Sequence, residues 1–236
     1  MLLFVAGLIT MSCLTLSVLN ADDGRDALLY QVDIFLPPKK GRDETADILH
    51  IKETVKDLSD IDVLFSFKEL GNPRIILVLD VEKACSWSQL TDFLLSKGYE
   101  YRVTSLYHVS DFAQELGVNL TGDLWATSFE NHRLVMDRVV FPERGLSTLE
   151  YNEMLEWTLE RDAALARSGQ QMTMFRALGE YPLELIYFGA VTQHRIEEYE
   201  EYLHGPRDFE NVLQESKTLI ITQDSAKETN PMRNAV

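Results

Sequence analysis

The sequence is poor in cysteine and in clustered positive charge, and it has no long apolar run after residue 21. Cys13 lies in an apolar leader, so Cys85 alone is left in the rest of the chain, which excludes a disulfide framework. The sequence has 22 Lys and Arg residues and 38 Asp and Glu residues, and its longest basic cluster is Lys39-Lys40 with Arg42. Nucleic acid and anionic membrane surfaces require clustered Lys and Arg, so we expect neither as a partner.

Several catalytic and ligand-binding signatures are also missing. The sequence has no Gly-x-Gly-x-x-Gly, Walker or Gly-x-Ser-x-Gly motif, which disfavours nucleotide binding and α/β-hydrolase chemistry. The five histidines, which show no metal-ligand spacing, are His50, His108, His132, His194 and His204. The pair formed by His194 and Glu197 lies in a strongly charged helical stretch, which indicates a solvated face. We therefore expect neither a metal nor an organic cofactor.

The chain begins with an apolar leader. Met1 to Ala21 contains no charged residue, and the acidic pair Asp22-Asp23 follows at once. This pattern predicts a secretory signal peptide that is cleaved near Ala21, and hence a secreted protein with no stable membrane association. Because about 18 apolar residues can just span a bilayer, a signal anchor is the alternative.

One sequon accompanies the leader. Asn119-Leu120-Thr121 has the N-glycosylation pattern and lies in a polar stretch. In a secreted protein such a triplet is a glycan acceptor, so we expect a glycan on Asn119.

The chain repeats itself once. Asp33 to Gly41 aligns with Asp137 to Gly145 at an offset of 104, and Asp, Pro, a basic residue and Gly recur. Phe67 to Gly71 aligns with Phe175 to Gly179 at an offset of 108. The offset grows by 108 − 104 = 4 residues, about one helical turn, and a helix is predicted between the matches. Two ungapped matches in the same order indicate a tandem duplication.

Both copies show the same order of hydrophobic periodicities. Copy one is predicted as strand 28–36, helix 44–58, strands 63–70 and 74–81, helix 87–95 and strand 101–109. Copy two is predicted as strand 133–141, helix 148–168, strands 172–178 and 183–191, helix 193–214 and strand 217–222. The order β-α-β-β-α-β is that of the ferredoxin-like unit.

These elements define an α+β fold class and a domain organisation. The expected segments are a signal peptide at 1–21, module one at 28–112, a polar linker at 113–131, module two at 132–223 and a disordered tail at 224–236. A four-stranded sheet with helices on one face leaves its other face uncovered. We therefore expect the two sheets to pack against each other within the chain.

A set of motifs in copy one carries a family resemblance. An apolar first strand ends in Pro, and an aromatic-Lys/Arg-x-x-Gly motif begins a hairpin. A further apolar strand ends at Asp80-Val81, and the last strand ends next to His108. Over nearly all of Leu28 to Asp111 this pattern resembles muconolactone isomerase, a member of the dimeric α/β-barrel superfamily. Copy two keeps Phe175 to Gly179 but has Thr222-Gln223-Asp224 where the His would stand.

The resemblance implies a fold and a type of chemistry. Two ferredoxin-like modules would pack sheet to sheet as an intrachain pseudo-dimeric barrel, with a homo-oligomer as a further option. Relatives in the superfamily catalyse isomerisation, cyclisation or oxidation by molecular oxygen without a cofactor, using a cavity and one or two acid/base residues. Aromatic-polyketide cyclases place a working His near the last strand, a position that His108 matches.

Polar residues on otherwise apolar strands are the other site candidates. Asp33 and Asp137 occupy matching places on the first strands, and Lys68 and Arg176 on the second strands. Because strand neighbours alternate faces, Asp33 is expected inside the barrel, where a carboxylate needs a partner or a wet cavity. Two interpretations stay open: a salt bridge between the repeats, or a small-molecule cavity with convergent polar groups.

Each candidate residue receives a role on this basis. The expected catalytic residues are His108, Asp33, Lys68 and Arg176, and the expected ligand-binding residues are Tyr30, Tyr107 and Asp137. His108 would act as acid or base, because His titrates near neutral pH, and Lys68 or Arg176 would stabilise an oxyanion. A surface His at a strand end is the structural alternative for His108.

Three functions remain open from the sequence. The first is a cofactor-independent enzyme, of isomerase, cyclase or luciferase-like oxygenase type, that acts on an apolar carbonyl- or enol-bearing molecule. The second is a non-enzymatic carrier of a lipophilic small molecule. The third is a structural pseudo-dimer without a cavity, which the polar strand residues disfavour.

Overall fold

The computed structural model describes residues 28–38, 40–41, 43–120, 124–126, 128–129, 134–143, 145–190 and 213–221. The predicted signal peptide, the predicted tail and most of the predicted helix 193–214 lie outside these residues. Within the described ranges, no helix combines the length and the apolar character needed to cross a membrane.

The first half of the chain has the element order β-α-β-β-α-β. Its elements are β1 (Leu28–Phe35), α1 (Glu44–Lys56), β2 (Ile61–Glu69), β3 (Arg74–Val81), α2 (Ser86–Ser96) and β4 (Glu100–His108). The second half supplies α3 (Val109–Glu115), β5 (Leu134–Phe141), α4 (Thr148–Arg167), β6 (Met172–Ala177), β7 (Leu183–Ala190) and β8 (Leu213–Ile221). The final strand begins at Leu213, four residues before its predicted start, so the predicted helical end at 214 is wrong.

Local sequence signals set the ends of the elements. Ser147 and Glu150 form a reciprocal capping box that starts α4, and the Asp43 carboxylate accepts the Ala46 N–H at the start of α1. The β2–β3 and β6–β7 turns need a positive φ, which Gly71 and Gly179 provide at φ 77° each.

The eight strands close into one antiparallel barrel in the order β1-β3-β2-β8-β5-β7-β6-β4. The two halves meet at two seams, β2 against β8 and β4 against β6. Closure removes every free sheet edge from the barrel. The barrel confirms the predicted α+β class.

Aromatic side chains from both halves fill the middle of the barrel. The Phe67 ring of β2 stacks on the Phe188 ring of β7, with their centroids 5.1 Å apart. Phe65, Phe175 and Phe129 pack around this pair, and all five are buried. The centre of the barrel is therefore a packed core and not an apolar ligand cavity. Two further apolar clusters lie outside the barrel, under the helices of each half.

The segment predicted as a polar linker is part of the packed structure. Helix α3 occupies its start, Trp125 bridges to Thr173 of β6, and Phe129 is buried in the barrel core. The linker prediction is wrong here because it followed the polar residues and ignored the apolar ones between them. Asn119 is exposed, whereas Thr121 of its sequon lies outside the described residues.

Candidate functional site

Charged side chains that point into the barrel gather at one end of it. β1 and β5 finish at this end, while β3 and β7 begin there, because Phe35 lies opposite Arg74 and Val140 lies opposite Glu184. We call this end the charged mouth, and it comprises Asp33, Glu69, Arg74, Arg102, Arg138, Glu184 and Glu215. Each of these residues lies on the same face of its strand as residues of the barrel core, which fixes their inward direction. Arg102 and Glu215 lie at the rim and are exposed to solvent.

The first half contributes a buried ion-pair network to the charged mouth. Arg74 Nη2 lies 2.6 Å from Asp33 Oδ1, and Arg74 Nη1 donates to Glu69 Oε2 at 3.1 Å. Gln31 Nε2 donates to the same Asp33 oxygen at 2.9 Å. Asp33 therefore lies inside the barrel, as predicted, but its salt bridge joins two strands of one half and not the two repeats.

The second half contributes a smaller network. Arg138 Nε donates to Glu184 Oε1 across the β5–β7 pair. Burial disfavours the charged form of Arg138, but Glu184, Asp33 and Glu215 together raise the pKa of the guanidinium. Asp33 thus stabilises a cation of the other half by longer-range attraction.

Corresponding positions in the two halves carry opposite charges. Asp33 lies opposite Arg102 in the β1–β4 register, and Arg138 lies opposite Glu215 in the β5–β8 register. The matching positions that carry charges of opposite sign in the two halves are Asp33 and Arg138, Arg102 and Glu215, and Arg74 and Glu184. Neighbouring strands of each half therefore place opposite charges side by side at the charged mouth, in inverted order in the two halves.

This correspondence corrects the predicted place of Asp137. The position in β5 that matches Asp33 is Arg138, at an offset of 105 instead of 104. An error of one residue moves a side chain to the other face of a strand. Asp137 therefore lies on the outer, helix-covered face, opposite Tyr187 in the register, and the prediction that it lines the barrel is wrong.

Lys68 and Arg176 also point outward. Lys68 Nζ lies 3.0 Å from Glu44 Oε1 of α1 and donates to backbone carbonyls of the β2–β3 turn. The Arg176 guanidinium lies 4.7 Å from the centre of the Phe112 ring of α3, and its Nη1 is 3.6 Å from Glu115 Oε2. Lys68 directly follows Phe67, and Arg176 directly follows Phe175, and both phenylalanines point into the barrel core. Because strand neighbours alternate faces, the two basic side chains point outward to the helices, and their predicted position on a cavity wall inside the barrel is wrong.

The two candidate tyrosines contact helices as well. Tyr30 stacks on Trp87 of α2, with ring centroids 4.9 Å apart, and the Tyr107 hydroxyl donates to Glu115 at 3.1 Å. Neither ring reaches the barrel interior, so the predicted ligand-lining position is wrong for both.

His108 ends β4 and caps α3. Its Nδ1 accepts the Ser110 backbone N–H at 3.2 Å, and its ring packs against Trp125 with centroids 4.4 Å apart. The pKa of His108 is lowered because burial disfavours its charged form, an effect that nearby Asp111 partly opposes. These contacts give His108 a structural role at the barrel seam.

Replacing His108 tests this role. His108→Ala is expected to reduce the free energy of unfolding by about 1 kcal/mol, whereas His108→Asn keeps a capping oxygen and most of the stability. An unfolded His titrates near pH 6.5, and the folded state binds the proton more weakly. Wild-type stability should therefore fall as the pH drops through about 6.5 and level off below the lowered pKa of the folded state.

Urea unfolding of both variants at pH 7 and pH 5 measures these effects. His108→Asn should remove part of the loss on acidification, while the exposed control His50→Asn should retain it. Equal stability of His108→Ala and wild type would contradict the capping role.

An open pocket of about 460 Å³ lies at the charged mouth. Strands β4, β5, β7 and β8 and the β6–β7 turn form its walls. The lining residues are Arg102, Val103, Thr104, Arg138, Val140, Glu180, Glu184 and Glu215. The side chains of Arg102 and Glu180 are exposed and form no ion pair or hydrogen bond with any described residue, so one cation and one carboxylate are available to a ligand here.

The pocket and His108 are separate sites. His108 follows Arg102 by six residues along β4, which is roughly 20 Å in a strand. The structure thus brings Asp33 close to the pocket but not His108, Lys68 or Arg176. Across the described residues, no three His, Cys, Asp or Glu side chains are grouped as a metal site requires.

Comparison with known proteins identifies the fold. No family model and no curated protein matches the sequence. Among solved structures, a candidate chlorite dismutase matches with a TM-score of 0.53 at 7% identity, covering 83% of this chain and 95% of that one. A mutant chlorite dismutase from Candidatus Nitrospira defluvii in complex with cyanide matches with a TM-score of 0.51 at 11% identity, covering 83% and 92%.

A candidate monooxygenase from Fusobacterium nucleatum subsp. nucleatum matches with a TM-score of 0.51 at 8% identity, covering 84% of this chain and 94% of that one. The likeness shows the fold. The chain shares the fold of these solved structures over most of the length of each.

Proposed function

We propose that the protein binds a small carboxylate- or enolate-bearing molecule in the pocket at the charged mouth and acts on it as a cofactor-independent enzyme of isomerase or oxygenase type. The observation that carries the proposal is the unpaired Arg102 guanidinium in a pocket whose other cation, Arg138, is already bound to Glu184. This ligand is more polar than the apolar molecule expected from the sequence, because five of the eight lining residues are charged.

The lining residues support a proton-transfer step. Glu180 would accept a proton from the carbon next to a carbonyl group, and the electron pair of that bond would move onto the carbonyl oxygen. Arg102 would stabilise the enolate oxygen that results. Return of the proton to a different atom completes an isomerisation, whereas attack of the enolate on molecular oxygen begins an oxygenation.

The fold neighbours favour the oxygenase version as an analogy, since one is a candidate monooxygenase. The resemblance of copy one to muconolactone isomerase favours the isomerase version. Both versions share the same site and the same first step.

Binding of phenylacetate and of its neutral isostere phenylacetamide tests the site. We expect wild type to bind the carboxylate about tenfold more tightly, because Arg102 forms a charge-assisted pair with it. Arg102→Gln should bind both ligands equally, while the exposed control Arg167→Gln should behave as wild type. NMR titration measures the two dissociation constants, and equal binding by wild type would contradict the proposal.

Turnover separates an enzyme from a carrier. Wild type incubated with phenylpyruvate, an enolisable keto acid, should accelerate its keto–enol exchange or consume oxygen. Binding without either change would favour the second candidate function, a carrier of small organic acids.

The organisation of the chain is also part of the proposal. We infer two ferredoxin-like modules from a tandem duplication, because the elements β1 to β4 have the full order β-α-β-β-α-β and β5, α4, β6, β7 and β8 fit the same order. Secretion after cleavage near Ala21 and a glycan on Asn119 are predictions from the sequence. The intact mass of protein from a eukaryotic secretory host checks both.

A further inference from the structure

Two polar atoms of the buried network at the charged mouth have no hydrogen-bond partner among the described residues. They are Gln31 Oε1, an acceptor, and Arg74 Nε, whose N–H is a donor. Gln31 is fully buried and Arg74 is 3% exposed. Buried polar atoms of native proteins are nearly always satisfied by protein, water or ligand, so this pair needs an explanation.

The two atoms belong to side chains that share one anchor. Gln31 Nε2 and Arg74 Nη2 both bind the same Asp33 oxygen, at 2.9 and 2.6 Å. This shared anchor fixes the orientation of both groups, and it prevents a flip of the Gln31 amide, which would bring two oxygens together. The shared anchor therefore holds the side chains of the free acceptor and the free donor in place.

The pair lies directly behind the wall of the pocket. Gln31 is opposite Thr104 and Asp33 is opposite Arg102 in the β1–β4 register, and both opposing residues line the pocket. Directly opposed residues in an antiparallel sheet have Cβ atoms about 4.5–5.5 Å apart. The two groups are thus one strand away from residues that line the pocket.

The chemistry of the pair selects one kind of group. A carboxylate accepts but cannot donate to Gln31 Oε1, and it would be repelled by Asp33. An ammonium group donates but cannot accept from Arg74 Nε. A hydroxyl or enol group does both at once.

We propose that Gln31 and Arg74 form a hydroxyl-recognition subsite, so that the ligand of the mouth pocket is a hydroxylated or enolic organic acid. This inference rests on the proposed function, because Arg102 would hold the carboxylate of the same molecule. It assigns a specificity role to two residues that have no part in the proton transfer.

Ligand pairs that differ by one hydroxyl group test the subsite. The pairs are mandelate, as separate enantiomers, against phenylacetate, and 2-hydroxybenzoate against benzoate. Wild type should bind the hydroxylated member of at least one pair about tenfold more tightly. In Gln31→Met, which fills the same space without an acceptor, this preference should fall to within about twofold, while the exposed control Gln114→Met should keep it.

A measurement on wild type covers the case in which Gln31→Met does not fold. The NMR signal of the Arg74 Nε–H should shift on addition of the hydroxylated ligand and not of its partner. If all four acids bind in a manner that depends on Arg102, with no preference for the hydroxylated members and no such shift, an ordered water satisfies the pair. This result would overturn the inference and leave the proposed function standing. Absence of any binding would overturn the proposed function together with it.

Discussion

Arg74→Met is expected to lower the free energy of unfolding by about 3–5 kcal/mol, because it leaves the buried carboxylates of Asp33 and Glu69 without their cation. The Asp33 side chain is 2% exposed and that of Arg74 is 4% exposed, so water cannot replace the lost partner. Urea or thermal unfolding measures the change, and for a chain of this size the melting temperature should fall by roughly 6–20 °C.

A matched surface pair provides the control. Lys83 and Asp60 are 2.7 Å apart, but Lys83 is largely exposed, so Lys83→Met should have a much smaller effect because solvent screens the pair. Adding Asp33→Asn to Arg74→Met should recover part of the loss, since it removes one unpaired buried charge. Equal effects of Arg74→Met and Lys83→Met would contradict the assignment of a buried network.

Phe188→Ala is expected to cost about 3–5 kcal/mol of unfolding free energy by opening a cavity in the barrel core. Phe188 is 1% exposed and contacts rings from both halves of the chain. The loss should appear in one cooperative transition, because both halves of the barrel share this core. Urea unfolding monitored by tryptophan fluorescence and by circular dichroism measures both the cost and the cooperativity.

The coupling between Phe188 and Phe67 tests barrel closure directly. In a double-mutant cycle, Phe67→Ala and Phe188→Ala should show an interaction energy of about 0.5–3 kcal/mol, because their rings stack across the barrel. The control Leu149→Ala, at a position 68% exposed on α4, should change stability by no more than about 0.5 kcal/mol. Additive effects of the two phenylalanine substitutions would be incompatible with contact between the halves.

Local periodicity predicted the elements well but not the pairing of the repeats. Strand β3 was predicted with its observed bounds, and the other described strands of the first half to within two residues. The alignment that matched Asp33 with Asp137 was one residue out, because both Asp137 and Arg138 are polar in an apolar strand. Leu134 and Met136, which lie in the barrel core, give the correct face for Arg138.

The residues of the pocket carried only a weak sequence signal. Arg102, Glu180 and Glu215 are ordinary charged residues near strand ends, and all three are exposed to solvent in the structure. Their proximity results from closure of the barrel, which joins β4 and β8 to strands of the other half. A pattern of charged residues at inward positions of several strands at the same barrel end is the signal that would find Arg102 and Glu215, whereas Glu180 lies in a turn and carries no such signal.

The sequence by itself determined the order and type of the described elements other than α3, the α+β class and the inward position of Asp33, because strand alternation and helical periodicity are local properties of the chain. Only the tertiary structure decided that Lys68, Arg176 and Asp137 face helices and that His108 caps α3. It also decided that the polar interior lies at one end of the barrel. These features depend on which strands meet across the barrel and with what register, and both are set by packing between residues far apart in the sequence.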